Sequence, residues 1–327
     1  MSKGRALVTG AGGQDGHYLV RWLLARGYEV HGLVRGVGGA ATRSDADAAL
    51  PGLHHVPGDL TDLPSLVRAL RAAQPDEVYN LASMSHVSNS WATAQLTTDV
   101  NAKGVVNILE AIRLYEGDDV GKVRFFQASS SEMFGKVQEV PQRETTLPWP
   151  RSPYGVAKTF GHHVTVNYRE SYGMHASSGI LFNHESPRRP LDFVTRKISR
   201  AVARISLGLQ DELVLGNLDI ERDWGFAGDY VEAMWLMLQQ DEPDDYVIAT
   251  GETHSLRELL DTAFRVVGID DWSRYVRQDP AFMRPADAGL TVGDASKARE
   301  VLGWKPRVTF AELVAMMVEH DLAENRP

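Results

Sequence analysis

A tyrosine and a lysine, Tyr154 and Lys158, stand four residues apart in the stretch SPYGVAK. On a helix this spacing places both side chains on one face. Tyrosine has an unperturbed pKa of about 10, so it acts as a base at neutral pH only with help. A neighbouring ammonium group favours the phenolate, and a cationic cofactor would favour it further. The pair therefore indicates a base that takes a proton from a hydroxyl group.

A hydroxyl and a carboxylate stand upstream in SSSEMFG, residues 129–135, directly after the apolar run VRFFQA. Ser130 and Glu132 are two residues apart at the end of a predicted strand, so both can reach one cleft. Oxidising a hydroxyl needs no carboxylate, whereas eliminating water needs a group that takes a proton and helps the water leave. The spacing alone is compatible with an elimination base at Glu132 and equally with a solvated loop glutamate.

Three glycines, Gly10, Gly13 and Gly16, fall between the first apolar run and the first helical pattern in VTGAGGQDGHYL. Glycine at these points permits a tight turn, close backbone approach to a pyrophosphate and close packing of helix on strand. The helix N-terminus then faces the phosphates. Because the motif stands between a strand and a helix, it predicts a dinucleotide site that includes Gln14 and Asp15.

The ends of the next three predicted strands supply the rest of the expected cofactor site. An acid after the second strand would bind a ribose 2′-hydroxyl, but Arg35 stands there and suits a 2′-phosphate. This arginine favours NADP over NAD. Asp59 in PGDL is a candidate for the adenine, with Leu60 beside it, and Leu81 and Ala82 are expected to line the cleft.

The elements that must position these residues alternate along the first half of the chain. Near-continuous apolar strands separated by helical patterns indicate a parallel sheet covered on both faces. The sequence predicts strands at 5–10, 28–34, 53–60, 76–82, 123–129 and 175–183, helices at 16–27, 61–74, 96–115 and 153–173, and a further strand at 244–251 that rejoins the sheet. The predicted fold class is α/β, a Rossmann-type doubly wound parallel sheet with a smaller C-terminal α/β lobe.

Composition narrows the classes of function. The 327 residues carry a formal net charge of −9, so the chain is a poor candidate for binding nucleic acid or anionic membranes. It has no cysteine, which excludes disulfides, thiolate catalysis and cysteine metal sites. The adjacent pairs His54–His55 and His162–His163 lack metal-ligand spacing, so no metal site is expected. No signal-peptide-like segment or long apolar run is evident, so the cytoplasm is the expected location.

The motifs together resemble the extended short-chain dehydrogenase/reductase superfamily and, within it, the GDP-mannose 4,6-dehydratase family, almost from end to end. The resemblance rests on GQDG, YEVHGLVR, EVYNLA, QASSSEMFG, RSPYGVAK, GILFNHESP, FVTRKISR, RDWGFAGDYVEAMWLMLQ, VIATGETHS and LGWKPR. FNHESPRR and FVTRKISR are far more specific than the motifs shared by the superfamily, because relatives that act on UDP or dTDP sugars usually differ there.

That resemblance implies an intramolecular redox reaction of GDP-mannose. Tyr154 would take the O4 proton as hydride passes from C4 to NADP, Glu132 would take the C5 proton, and water would leave from C6. Return of the hydride to C6 would give GDP-4-dehydro-6-deoxy-mannose. The resemblance assigns the catalytic hydroxyl to Ser130, where the family usually has threonine, and completes the set with Lys158.

The resemblance also implies where the sugar nucleotide binds and how the chain is organised. Residues 1–182 and 226–250 would form the NADP-binding domain, and residues 183–225 and 251–327 the substrate lobe. The implied substrate residues are Ser85, Asn183, Arg188, Val194, Lys197, Arg222 and Arg284. A homodimer or homotetramer is expected.

The sequence leaves three other functions open. The sister hypothesis is a dehydratase of a modified GDP-hexose or heptose. A GDP-sugar 4-reductase or epimerase would not need Glu132. A nucleotide-sensing protein without catalysis would not need to retain Ser130, Glu132, Tyr154 and Lys158 together.

Overall fold

A parallel β-sheet of seven strands, counted over the residues that the structure describes, forms the centre of the protein. The computed structural model describes residues 3–35, 50–282 and 289–326. The strands of this sheet are β1 (Arg5–Thr9), β2 (Glu29–Val34), β3 (Leu53–Pro57), β4 (Glu77–Asn80), β5 (Arg124–Ser130), β6 (Ala176–Leu181) and β11 (Asp245–Ile248). The short strands outside it are β7 (Asn183–Glu185), β8 (Leu213–Leu215), β9 (Glu221–Arg222), β10 (Trp224–Phe226), β12 (His254–Ser255) and β13 (Val276–Gln278).

The strand order is β11-β6-β5-β4-β1-β2-β3, with every neighbouring pair parallel. The direction of progress along the sheet reverses between β1 and β4. In doubly wound sheets such a reversal opens a crevice at the carboxyl ends of the strands, where ligands bind. The predicted fold class is therefore confirmed. The strand expected at 244–251 does rejoin the sheet, as β11 beside β6.

Helices cover both faces of the sheet. The α-helices along the described part of the chain are α1 (Gln14–Ala25), α2 (Leu63–Ala73), α3 (Ala94–Thr98), α4 (Gly104–Glu116), α5 (Pro153–Tyr172), α6 (Val194–Ser206), α7 (Ala227–Leu238), α8 (Leu256–Val266), α9 (Ser296–Leu302) and α10 (Phe310–Asn325). One apolar core lies between the sheet and α1, α7 and α9, and a second lies between the sheet and α2, α4 and α5. Strand residues alternate between the two cores because successive side chains point to opposite faces. Among the helices described, none is long and apolar enough to cross a membrane.

The helix predicted over 96–115 is interrupted in the structure, so the expectation of one continuous helix is wrong. A π-helical turn, Asp99–Lys103, separates α3 from α4. Within this turn Asn101 Oδ1 accepts hydrogen bonds from Ser83 Oγ and Met84 N at 3.1 and 2.8 Å. The wider turn brings this side chain to the segment that follows β4, a contact that the apolar pattern of the helix does not encode.

A third apolar core lies beside the sheet, among α6, α8, α10 and the short strands, and builds the smaller lobe. Capping boxes begin two of its helices, with Ser255 and Glu258 at α8 and Thr309 and Glu312 at α10. Helix α9, by contrast, packs on α7 and the sheet. The division of the chain into two domains at the expected boundaries stays a prediction.

Candidate active site

A cavity of about 610 Å³ opens at the carboxyl ends of β4, β5 and β6. This is the edge of the sheet where the strand order predicts a ligand crevice. Among the described residues, its polar and charged lining includes Asp15, Ser85, Ser130, Glu132, Tyr154, Lys158, Asn183, Arg189, Lys197 and Arg222. The sheet and the smaller lobe both contribute to these walls.

Tyr154 and Lys158 enter the cavity from the first two turns of α5. Ser152 caps this helix, because its Oγ accepts a hydrogen bond from Gly155 N at 3.0 Å. Lys158 Nζ donates to Ala128 O at 2.8 Å and lies 5.7 Å from the centroid of the Tyr154 ring. The helix therefore presents the phenol and the ammonium group on the same side.

Burial decides the protonation of this pair. It lowers the pKa of Lys158 to about 8. Burial also raises the pKa of Tyr154 to about 12, against a hydrogen bond from Ser130 that lowers it. The phenol is therefore protonated at neutral pH, because burial outweighs the favourable contacts that the protein supplies. A further cation beside the phenol is needed to make it a base.

Ser130 and Glu132 reach the cavity from the end of β5. Ser130 caps a short 3₁₀ turn, Ser131–Met133, and its Oγ accepts a hydrogen bond from Glu132 N at 3.3 Å. The neighbouring Ser129 has its Oγ 3.1 Å from His162 Nδ1 on α5. The hydroxyl and carboxylate that the sequence singles out thus line one cavity together with Tyr154.

A chain of buried polar groups runs beneath the cavity and across three strands. Thr9 Oγ1 donates to Asn80 Oδ1 at 2.8 Å and accepts two backbone N–H groups that follow β4. Asn80 Nδ2 donates to Gln127 Oε1 at 2.9 Å, and Gln127 Nε2 donates to Ala128 O at 3.0 Å. Since Ala128 O also accepts from Lys158, this network links the end of β1 to the lysine. Satisfied buried networks of this kind make local geometry rigid.

The glycine turn after β1 fits a dinucleotide. Gly10 has φ of +71°, and a Cβ there would lie 2.8 Å from Ala82 N. A Cβ on Gly16 would lie 2.2 Å from Gly10 O, so α1 packs on the turn only with glycine at that position. Gly13 is the N-cap of α1 and leaves the first N–H groups of the helix directed at the turn. These are the properties of a pyrophosphate cradle.

The two polar residues of this turn hold it to the segment after β6. Gln14 Nε2 donates to His184 O at 3.0 Å, and Gln14 Oε1 accepts from Ser186 Oγ at 2.8 Å. Asp15 pairs with His184 through a 2.9 Å contact of Oδ2 with Nε2. Burial raises the pKa of Asp15, but the charge and hydrogen bond of His184 outweigh it and lower the pKa. Both side chains therefore hold the glycine turn in place through contacts with other parts of the protein.

The other residues expected at the cofactor lie at the ends of β2, β3 and β4. Arg35 is exposed directly after β2. Asp59 Oδ1 accepts hydrogen bonds from Thr61 N and Oγ1 at 2.8 and 2.7 Å, and Leu60 is buried. Leu81 lines the cavity, and Ala82 lies against Gly10. Their contacts with a cofactor stay predictions.

Most of the residues expected at the nucleotide line the cavity, but not all of them. Ser85, Asn183, Val194, Lys197 and Arg222 line the cavity. Lys197 Nζ also donates to Val214 O at 2.7 Å. Arg284 lies outside the described residues.

Of two adjacent arginines, the cavity lining described includes Arg189 and not the expected Arg188. Arg189 Nε lies 3.2 Å from Glu185 Oε2, and its guanidinium lies 3.7 Å from the centroid of the Phe193 ring. Arg188 lies towards α1, where burial and the charge of this arginine lower the pKa of His17 to about 4. The motif SPRRP marks both arginines, but a loop has no fixed side-chain period that tells which one faces the cavity.

Within the described part of the chain, no group of three or more histidine, aspartate or glutamate side chains could hold a metal ion. The expected absence of a metal stays a prediction.

The doubly wound sheet, the glycine turn at its switch point and the Tyr–Lys pair on α5 define a protein of the short-chain dehydrogenase/reductase class. The model of the family described as GDP-mannose 4,6 dehydratase matches residues 7–317. The chain belongs to this family.

Individual relatives match over almost the whole chain. It is 53% identical to GDP-mannose 4,6 dehydratase 1 of Arabidopsis thaliana, across 97% of this chain and 89% of the relative. It is 47% identical to GDP-mannose 4,6 dehydratase of Homo sapiens, across 97% of this chain and 91% of the relative. The solved structure of dTDP-glucose 4,6-dehydratase from Streptomyces venezuelae, with NAD and TYD bound, matches with a TM-score of 0.84 at 28% identity and covers 98% of each chain. The similarity therefore includes the sheet and the smaller lobe.

Proposed function

We propose that this protein is a GDP-mannose 4,6-dehydratase, which converts GDP-mannose to GDP-4-dehydro-6-deoxy-mannose and water. The observation that carries the proposal is the presence of Glu132 beside Ser130 and Tyr154 in one cavity. Oxidation of a hydroxyl requires the serine, tyrosine and lysine, but only the elimination of water requires a carboxylate as a base. The family match over residues 7–317 supports the same reaction.

NADP is the proposed cofactor, and when bound it would supply the hydride exchange with C4 and C6 of the sugar. The glycine turn supports a dinucleotide because side chains at Gly10 and Gly16 would fill the space between turn, helix and strand. Arg35 after β2 supports the 2′-phosphate form. The related Streptomyces venezuelae structure holds NAD, which supports a nicotinamide cofactor in this class.

The protein's own groups move two protons. Tyr154, hydrogen-bonded to Ser130 and accompanied by the Lys158 ammonium, takes the proton of the O4 hydroxyl. The 4-keto group acidifies C5–H, and Glu132 takes that proton. One proton leaves with the C6 hydroxyl as water, and C5 receives one proton, exchangeable with solvent, when C6 is reduced. The carbon skeleton thereby loses one water with no net change in redox state.

The nucleotide is proposed to bind between the sheet and the smaller lobe. Asn183, Lys197 and Arg222 supply donors and cations for the diphosphate and base, with Ser85 and Val194 on the same wall. Arginine is suited to forked contacts with phosphate. Arg188 and Arg284 stay proposals that rest on the family resemblance alone. A cytoplasmic location stays a prediction from the sequence.

A homodimer or homotetramer is the proposed assembly. Large apolar side chains, Trp91, Leu96, Val156 and Phe160, are exposed on and beside α3 and α5, and these two helices pack on one another. A second copy of the chain, related by a two-fold axis, would cover this face in both partners. Sedimentation of the wild type and of Phe160→Glu tests this, and a monomeric wild type would contradict it.

Incubation of the protein with GDP-mannose and NADP tests the function. Mass spectrometry is expected to find a product that is lighter by one water, and solvent deuterium is expected at C5 when the reaction runs in D₂O. No such product from GDP-mannose would overturn the proposal. Faster turnover of a modified GDP-hexose or heptose in a parallel assay would point to a dehydratase of that sugar instead.

A further inference from the structure

Asp223 is a buried carboxylate outside the reacting centre, with 1% of its surface exposed. Its Oδ1 accepts hydrogen bonds from Thr250 N and Oγ1 at 2.9 and 2.7 Å. Its Oδ2 accepts from Gly251 N at 2.9 Å and from Gly293 N at 3.4 Å. Burial raises the pKa of this carboxyl group, against the lowering effect of these hydrogen bonds. Four donors directed at one buried group form a well-satisfied anchor.

The anchor joins two parts of the fold. Asp223 lies between β9 and β10, whereas Thr250 and Gly251 lie two and three residues after the end of β11 in the central sheet. Gly293 is pressed against the end of the same strand, since a Cβ there would lie 2.4 Å from Ala249 Cβ. Asp223 therefore fixes the β9–β10 segment relative to the carboxyl end of the sheet.

The residues on either side of Asp223, Arg222 and Trp224, both line the cavity. Backbone pairing alone holds them weakly. Strand β9 has two residues and pairs with β12, Arg222 makes one further bridge with Thr291, and β10 has three residues and pairs with β7. Strands this short supply few ladder hydrogen bonds. The carboxylate between them is therefore well placed to decide where the Arg222 backbone stands.

We propose that Asp223 is a positioning residue that sets the Arg222 guanidinium for the diphosphate of the nucleotide sugar. The inference rests on the proposed function, in which Arg222 binds that diphosphate. A guanidinium binds phosphate through paired hydrogen bonds, so its affinity depends on its orientation as well as on its charge. Asp223 lies outside the described cavity lining and acts through Arg222.

Asparagine at this position cannot reproduce the anchor, because its amide offers one acceptor and one NH₂ donor group. In one orientation the NH₂ group faces the backbone N–H of Thr250. In the other it faces the backbone N–H groups of Gly251 and Gly293. Two donors then oppose each other in a buried site, which is costly enough to displace the segment.

Calorimetric titrations of wild type and Asp223→Asn with GDP and, separately, with NADP test the proposal, together with steady-state kinetics on GDP-mannose. The Kd for GDP and the KM for GDP-mannose are expected to rise at least tenfold. The kcat and the Kd for NADP are expected to stay within twofold of the wild type. A general loss of structure would instead weaken the binding of both GDP and NADP and lower kcat as well.

The matched control is Asp229→Asn. Asp229 is also a buried carboxylate, and its Oδ2 accepts hydrogen bonds from Arg307 N and Val308 N at 2.8 and 3.0 Å. It lies outside the described cavity lining, so this variant is expected to lose stability and keep its Kd for GDP. A milder variant, Thr250→Val, removes the hydroxyl donor to Asp223 and is expected to weaken GDP binding about threefold.

Arg222→Ala alone and combined with Asp223→Asn shows whether the effect passes through the arginine. The two variants are expected to bind GDP equally, because the arginine that Asp223 positions is gone from both. Additive losses would overturn the proposal, as would an equal loss in Asp229→Asn. An unchanged Kd for GDP in Asp223→Asn would also overturn it. If the asparagine variant does not fold, an unchanged Kd for GDP in Thr250→Val would overturn it instead. Wild-type protein that fails to bind GDP would overturn the proposed function itself, and this inference with it.

Discussion

His184 Nε2 donates a hydrogen bond to Asp15 Oδ2 at 2.9 Å and so ties β7 to the first turn of α1. The other ring nitrogen, Nδ1, lies 2.7 Å from Phe182 O. Both partners are acceptors, so both ring nitrogens carry protons and the ring is an imidazolium. Burial lowers the pKa of His184, but the charge and hydrogen bond of Asp15 outweigh it and raise the pKa above 6.5.

Stability is therefore expected to depend on pH through this pair. The raised pKa of His184 gives stability that is complete below pH 6.5 and is lost as the pH rises through the folded-state value. The lowered pKa of Asp15 gives stability that is present above pH 3.8 and is lost on acidification. In urea unfolding, His184→Gln should be less stable than the wild type by about 2 kcal/mol near pH 6 and by less near pH 9. An equal difference at both pH values would contradict a charged His184.

Glu132→Gln is expected to stop dehydration. Glutamine keeps the shape of the side chain but cannot take the C5 proton, so product formation should fall by about a hundredfold or more. Incorporation of solvent deuterium at C5 should stop as well, which mass spectrometry of the reaction in D₂O measures. Glu170→Gln, at an exposed position of α5, is the control and should turn over like the wild type. Undiminished activity of Glu132→Gln would favour a reductase or epimerase.

The ratio kcat/KM is expected to fall above about pH 8, the pKa to which burial lowers Lys158. The lysine favours the Tyr154 phenolate only while it is charged, so its deprotonation removes the base. Lys158→Arg keeps a cation at all pH values of the assay. This variant should be slower but should lose the decline above pH 8. If the decline persists in Lys158→Arg, another group sets it.

Ser130→Ala is expected to lower kcat by about a hundredfold. The Ser130 hydroxyl lowers the pKa of Tyr154 through its hydrogen bond, so the alanine variant should also show its low-pH decline at higher pH. Ser130→Thr keeps the hydroxyl and adds a methyl that restricts its rotamer, so its activity should stay within about threefold. Equal losses in both variants would remove the hydroxyl from the mechanism.

Arg35→Ala tests the proposed preference for NADP. Loss of one charged contact to a 2′-phosphate should raise the Kd for NADP about tenfold or more and leave the Kd for NAD unchanged. Fluorescence titration with each cofactor measures both constants. An equal effect on the two cofactors would mean that Arg35 does not distinguish them.

Much of the fold is predictable because its signals are local. The apolar runs of β1 to β6 and the helical period of α5 are visible within ten to twenty residues, and the strand that became β11 is visible in the same way. The π-helical turn at Asp99–Lys103 is not, because the apolar pattern continues through it. The turn is accompanied by the hydrogen bond of Asn101 with Met84, which is 17 residues away in the chain and lies in the loop after β4.

Residue types and spacing on one helix indicated the Tyr154–Lys158 pair, whereas the resemblance to the family was needed to assign roles to Ser130 and Glu132 at one strand end. Each of these pairs lies within one short segment, whereas the glycine turn also depends on the close approach of Ala82 to Gly10. Tertiary structure decided which of Arg188 and Arg189 faces the cavity, and it buried the phenol so that its pKa rises to about 12. It also brought together Asp15 and His184, 169 residues apart. Such contacts depend on how whole segments pack against each other. The residue pattern within one segment does not predict which distant segment it will contact.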